Sequence, residues 1–127
     1  MPLPEAVRER CRRFLRPGDR IRYVFPAMSL SIGRSAGTAP FLVVVGEAEV
    51  LVLGCGVFRR NNPKSVWARH PATVRLGPVE TGGSLKPTIR LGELVLELDE
   101  EYAAVVTAAD AERLNTDQLP ADPFPDL

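Results

Sequence analysis

The residues best suited to chemistry crowd into "FRRNNPKSVWARHP", residues 58–71, which holds the chain's one tryptophan and one histidine. Arg59, Arg60, Lys64 and Arg69 fall inside it, and Arg75 follows closely. Guanidinium and ammonium groups at that density suit an anionic partner, and an indole beside them offers a flat face for a cation or an apolar side chain. The candidate binding set is therefore Arg59, Arg60, Lys64, Trp67, Arg69 and Arg75. Asn61, Asn62 and Pro63 read as a turn, which leaves "KSVWAR" as a strand. Simple alternation sets Val66 and Ala68 on one face and Ser65, Trp67 and Arg69 on the other, with a cation–π contact open to the last two.

Catalysis finds less support. His70 lies between Arg69 and Pro71, and no nucleophile-elbow motif accompanies it. The acidic run "ELDEEY" reads better as a helix start than as paired acid and base carboxylates. There is no P-loop and no Rossmann glycine pattern. Cys11 and Cys55 stand far apart, without zinc-ligand spacing, and read as small apolar fillers in a reducing cytoplasm. No catalytic residue, metal or cofactor is expected.

The elements that position these residues follow from length and pattern. The chain has 127 residues, which fits one domain. Sixteen basic and sixteen acidic side chains cancel, which argues against nonspecific nucleic-acid binding. The charge is unevenly spread: residues 1–90 carry 15 basic and 6 acidic side chains, residues 91–127 carry 1 and 10. A neutral chain with that split can present a basic face and an acidic face. The longest apolar runs are too short to span a bilayer, and the N-terminus lacks the apolar stretch of a secretory signal.

"PEAVRERCRRFLRPGD" opens with Val7, Cys11, Phe14 and Leu15 on one helical face, and Arg16-Pro17-Gly18 stops the helix. Arg8, Arg10, Arg12 and Arg13 leave two uses for it, packing on a sheet or lying on an anionic membrane. "DRIRYVF" alternates, with Ile21, Tyr23 and Phe25 inward and Val24 outward. "SLSIGRSAGTAP" reads mostly as a long loop. "FLVVV" and "EVLVLGCGVF" read as a hairpin across "GEA". "TVRLGPV" reads as another strand, with Val74 and Leu76 inward. "TIRL" and "LVLEL" flank a Gly92-Glu93 turn. Asp99 caps a final helix whose apolar stripe is Tyr102, Val105, Val106 and Ala109. Residues 115–127, rich in proline and aspartate, read as a disordered tail after a single domain over 1–114.

Helix, about seven antiparallel strands, helix: the fold class is mainly β, a curled barrel with an N-terminal helix and a C-terminal capping helix. "FLRPGDRIRYVF", the "FLVVV…EVLVL" hairpin, "VWARHPATVRLGPVE" and "LVLELDEEYAAVVTAA" carry a resemblance to small bacterial PH-like proteins of the YokE-like kind, in the pleckstrin-homology-like barrel superfamily. The resemblance covers roughly residues 13–112. It implies a scaffold used for lipids, peptides and proteins, and it does not fix a function. Lipid-binding members of that superfamily cluster basic residues around the loop joining the first two strands. Here "PAMSLSIGRSAGTAP" has Arg34 alone.

Three functions follow. The first is a non-enzymatic module binding a protein or peptide partner, a second copy of itself included. The second is an anionic-lipid or membrane-surface binder. The third is a small split-barrel flavin-binding protein.

Overall fold

The computed structural model describes residues 5–32, 35–56, 59–80, 86–92 and 94–121, with backbone alone at 30–32, 35–38, 56, 59–61 and 113–121. Helix α1 (Glu5–Arg12) precedes strands β1 (Ile21–Ile32), β2 (Ser35–Gly46), β3 (Glu49–Gly56) and β4 (Arg59–Pro71). Strands β5 (Thr88–Leu91) and β6 (Leu94–Glu97) and helix α2 (Glu100–Ala121) complete it. All strand pairs are antiparallel, in the order β4-β3-β2-β1-β6-β5.

The sheet curls into a half-barrel. β4 and the β5–β6 hairpin stand at opposite ends of the strand order, yet a Cβ built at Gly92 would lie 3.6 Å from His70 Cε1. Only a strongly curved sheet brings those ends together. Gly92 itself has a φ of 60°, which a side chain there would strain.

Both faces of the sheet are buried, and the unbroken apolar runs are why. Phe25, Phe41, Val43, Val45, Val50 and Val52 point inward, where they meet Leu76, the β5–β6 leucines, Tyr102, Val106 and Ala109. Val24, Leu42, Val44, Leu51 and Leu53 point outward and are covered by Val7 and Cys11 of α1, with Phe14 and Leu15 at the margin. Alternate residues of one strand therefore feed two separate cores. The N-terminal helix packs on the barrel, and its apolar stripe is consumed there.

Several expectations need correction. Six strands form among the described residues, against about seven expected. "TVRLGPV" is not a strand: its backbone turns away after Pro71, and Leu76 N–H and Gly77 N–H donate to the Asp110 carboxylate of α2 at 2.9 and 2.8 Å. Glu80 keeps one bridge to Thr88 as the remnant of ladder pairing. The supposed long loop at "SLSIGRSAGTAP" is mostly the distal β1–β2 pairing. Ser29 Oγ accepts a 3.0 Å bond from Ala39 N–H there, beside a register shift. Val24 points outward but is buried, because α1 covers that face, and a register shift after Ile21 puts Ile21, expected inward, against the same outer core. The turn expected at Asn61–Pro63 is strand, tolerated because Pro63 sits between two register shifts.

The hairpin about Gly92 and the stripe of Tyr102, Val105, Val106 and Ala109 form as expected. α2 runs to Ala121, so its backbone continues through the first residues of the segment expected as a tail, and residues 122–127 lie outside the described residues.

Candidate functional site

β4 is the edge strand that carries most of the candidate residues, and its length sets their geometry. It is 13 residues long against the 8 of β3, and the surplus is taken up in three register shifts. One falls at Trp67: Val52 pairs with Ala68 and Leu53 with Val66, so Trp67 is the extra residue. A bulge turns two successive side chains toward one side of the sheet. Ala68 packs on the inner core, and Trp67 meets Phe41 edge-on, centroids 5.6 Å apart and rings at 74°. Val66 packs on the outer core and Arg69 reaches outward also. Trp67 and Arg69 thus part company, against the simple alternation, and the aromatic partner of Trp67 is Phe41.

Arg69 is engaged within the fold. Its Nη1 donates to Glu49 Oε1 at 2.8 Å, and its Nη2 donates to the Phe14 carbonyl at 3.2 Å, just past the end of α1. Arg16 Nε donates to the same Glu49 oxygen at 3.1 Å. Glu49, 17% exposed against 35% for Arg69, therefore ties the end of α1 to β3 and β4. That is a structural clamp, in which two guanidiniums share one carboxylate.

Lys64 and Trp67 are exposed, and Lys64 has no ion pair among the described residues. At 51% exposure Trp67 is the one large exposed hydrophobic among them. Arg75 is exposed on the segment after β4. The backbones of Arg59 and Arg60 open β4, and their side chains lie outside the described ones. The six candidates thus divide: Lys64 and Trp67 sit on one open stretch of strand, Arg75 lies beyond it, and Arg69 is committed elsewhere.

Sequence reasoning missed three acidic anchors. Asp19 Oδ1 accepts from Arg20, Glu47 and Ala48 N–H at 2.8, 2.9 and 3.0 Å, which pins the β2–β3 turn. A Cβ at Gly46 would lie 2.8 Å from Asp19 Oδ2 and 3.0 Å from the Glu49 carbonyl, so a side chain there would displace the Asp19 anchor. Asp110 and Glu49 are the others. Asp110 carried a legible signal, an acid one helical turn beyond Val106 beside the apolar stripe. The partners of Asp19 and Glu49 lie too far along the chain for any local pattern to show.

Other groups offer little chemistry. His70 Nε2 is buried without a hydrogen-bond partner among the described residues, at the seam near Gly92. A cleft of about 240 Å³ opens between Met28 on β1, Glu97 on β6 and Asp99. Lys86 Nζ meets Asp99 Oδ1 across it at 3.1 Å. Burial pushes the Cys11 and Cys55 thiols up to about 11, and their mutual proximity adds to the shift at Cys55. Such thiols are poor nucleophiles at neutral pH. Burial, then the hydrogen bond to Glu112 Oε2 at 3.0 Å, raise the Tyr23 phenol. Among the described residues no group of three His, Cys, Asp or Glu side chains could hold a metal ion, and no helix is long and apolar enough to cross a membrane.

No family model, no curated protein and no solved structure matches this chain.

Proposed function

We propose that this protein is a non-enzymatic interaction module of PH-like architecture that binds a protein or peptide partner through the β4 edge. One observation carries the reading: Trp67, half exposed, stands on the edge strand of the sheet. Tryptophan is costly to leave in water and is enriched at the centres of protein interfaces. The half-barrel closed by a terminal helix supports the PH-like reading, with the Glu80–Thr88 bridge standing where a seventh strand would pair. The free thiols of Cys11 and Cys55 suit a reducing cytoplasm.

Neither alternative has an observation of its own. A membrane-bound α1 would need its apolar stripe, which is spent on the outer core, and Arg12 is paired with Glu5 and Glu9. The cleft at about 240 Å³ is below the size that usually accommodates a cofactor-sized ligand.

The test compares the immobilised wild-type chain with W67A in extract of the source cells, with circular dichroism confirming that both fold. A partner retained by the wild type, lost with W67A and bound by the purified chain in direct titration supports the reading. A chain that sediments alone as a monomer, and retains nothing that W67A does not, overturns it.

A further inference from the structure

Among the described residues the sheet has three backbone edges, and two are met by other parts of the chain. The outer side of β5 bonds to Glu80, with N–H to carbonyl distances of 2.8 Å in both directions. Among the described residues the first half of β1 has no strand on its far side, and α2 lies there instead, held by Glu112 to Arg22 and to the Tyr23 hydroxyl. The third is β4. Among the described residues nothing pairs with its outer side, and the chain leaves it at Pro71 through a turn closed by Val74 N–H. Unpaired backbone donors and acceptors on an edge form a template for one more strand.

Geometry limits what can be added. Register shifts at Lys64 and Trp67 twist the edge, so a long flat strand cannot run beside it. A short extended segment can follow it. Charge then selects the occupant. Residues 59–71 include Arg59, Arg60, Lys64 and Arg69 and no acidic residue. Among the described residues Glu49 is the carboxylate paired with that strand, and Arg69 and Arg16 already share it. A second copy of the chain fits poorly: β4 against β4 sets basic residues on basic residues, and β4 against β5 meets Arg90. An acidic segment gains where a copy repels.

Resting on the interaction reading above, we propose that the open edge of β4 between Lys64 and Arg69 receives a short acidic peptide in extended conformation, added as a strand. Its backbone pairs with β4, an acidic residue faces Lys64, and an apolar residue lies against the exposed part of Trp67. Side chains of an extended chain alternate sides with a two-residue period, so one strand can carry its acids on one side and its apolar groups on the other.

The experiment selects a display library of random decapeptides on the whole chain, then titrates the enriched peptides. Trp67 is the only tryptophan, so its fluorescence reads binding at this edge directly. The expected result is enrichment of acidic sequences that perturb Trp67 emission. K64E should weaken binding by roughly five-fold or more, through lost attraction and new repulsion. N-methylation of alternate peptide nitrogens, which removes backbone donors, should abolish it. Enrichment of neutral or basic sequences overturns the proposal, as does an N-methylated peptide that binds equally well. Vesicles with about 30 mol% phosphatidylserine provide the lipid arm. Vesicles that shift Trp67 emission when no peptide does also overturn it. If the library yields nothing while W67A still abolishes capture of a protein, strand addition falls and the interaction reading stands. If both fail, both fall.

Discussion

The two faces of one sheet are sealed by different means. The inner face is closed by the 22-residue α2 and by a loop whose backbone is held by a carboxylate, Asp110. The outer face is closed by the 8-residue α1, whose end is held by the side chains of Arg69, Glu49 and Arg16. An eight-residue helix is too short to persist alone and depends on the sheet beneath it. The inner face is thus fixed by deep packing and backbone hydrogen bonds, the outer by shallow packing and partly exposed charges. Local order should follow that ranking.

The largest effects test the packing. Leu96 and Leu42 are both fully buried, one on each face. Leu96→Ala should cost about 3–5 kcal/mol, toward the upper end for such truncations, because β1, β5 and α2 enclose the site and cannot collapse into it. Leu42→Ala should cost about 2–3 kcal/mol, since α1 can settle toward the vacated space. Urea unfolding midpoints at matched slope measure both. Equal costs would break the contrast between the faces.

The clamps come next. Asp110→Ala strands the Leu76 and Gly77 N–H groups in a half-buried site, and about 2–3 kcal/mol of lost stability is expected. Glu49→Gln keeps the shape and removes the charge that Arg69 and Arg16 share. At their exposure about 1 kcal/mol is the expected cost. High salt should narrow the Glu49 difference between wild type and variant and leave the Asp110 difference nearly intact. A Glu49 effect that equals the Asp110 effect and ignores salt would place the two clamps in one class.

How much of this was legible depends on the reach of each signal. The β5–β6 hairpin and the α2 stripe are local patterns, and they appear as read. The face of α1 does so at Val7 and Cys11, but the helix ends at Arg12, and Phe14 and Leu15 reach the same core from the turn beyond it. "FLVVV" carries no period, so its burial on both sides emerges only when α1 is placed on the outer face. Val24 points outward as its alternation with Phe25 implies, and its burial emerges for the same reason. "TVRLGPV" has a true alternation, with Leu76 inward and Arg75 outward, but its hydrogen bonds go to a carboxylate more than thirty residues later. The candidate set was read from composition, which locates basic residues without showing whether each already has a partner. A bulge adds one residue with no marker in the sequence, and it separates Trp67 from Arg69.

Alkaline pH sharpens the contrast further. Cys11 and Cys55 both belong to the outer face, and burial raises each thiol from an ordinary 9.0 to about 11. Between those values the unfolded chain has released these protons and the folded chain keeps them. Unfolding is then favoured as pH rises, so the stability from both groups is intact below pH 9 and is lost as pH climbs toward 11. Tyr23 and Tyr102 are raised too, and they add a later loss in the same direction. Urea midpoints at pH 7.5 and pH 10.5, compared for wild type and Cys11→Ala/Cys55→Ala, separate the two contributions. The double variant should fall less between the two pH values. An identical fall would assign the alkaline loss to tyrosine and remove the thiols from the argument.

The smallest expected change in stability is the most informative about function. Trp67 belongs to neither core and touches the inner one only through the edge of Phe41. Half its surface is in water already. W67A should therefore lower stability by about 1 kcal/mol at most, the scale of one aromatic contact with modest burial. Binding should respond very differently if this indole lies at the centre of an interface, where truncation costs about 2 kcal/mol or more. Near-native stability joined to a loss of partner affinity would separate the β4 edge from both faces as the part of the molecule not used to hold the fold. A large loss of stability would instead make Trp67 a third seal, closing the barrel end beside Phe41, and its exposure would no longer point to a partner.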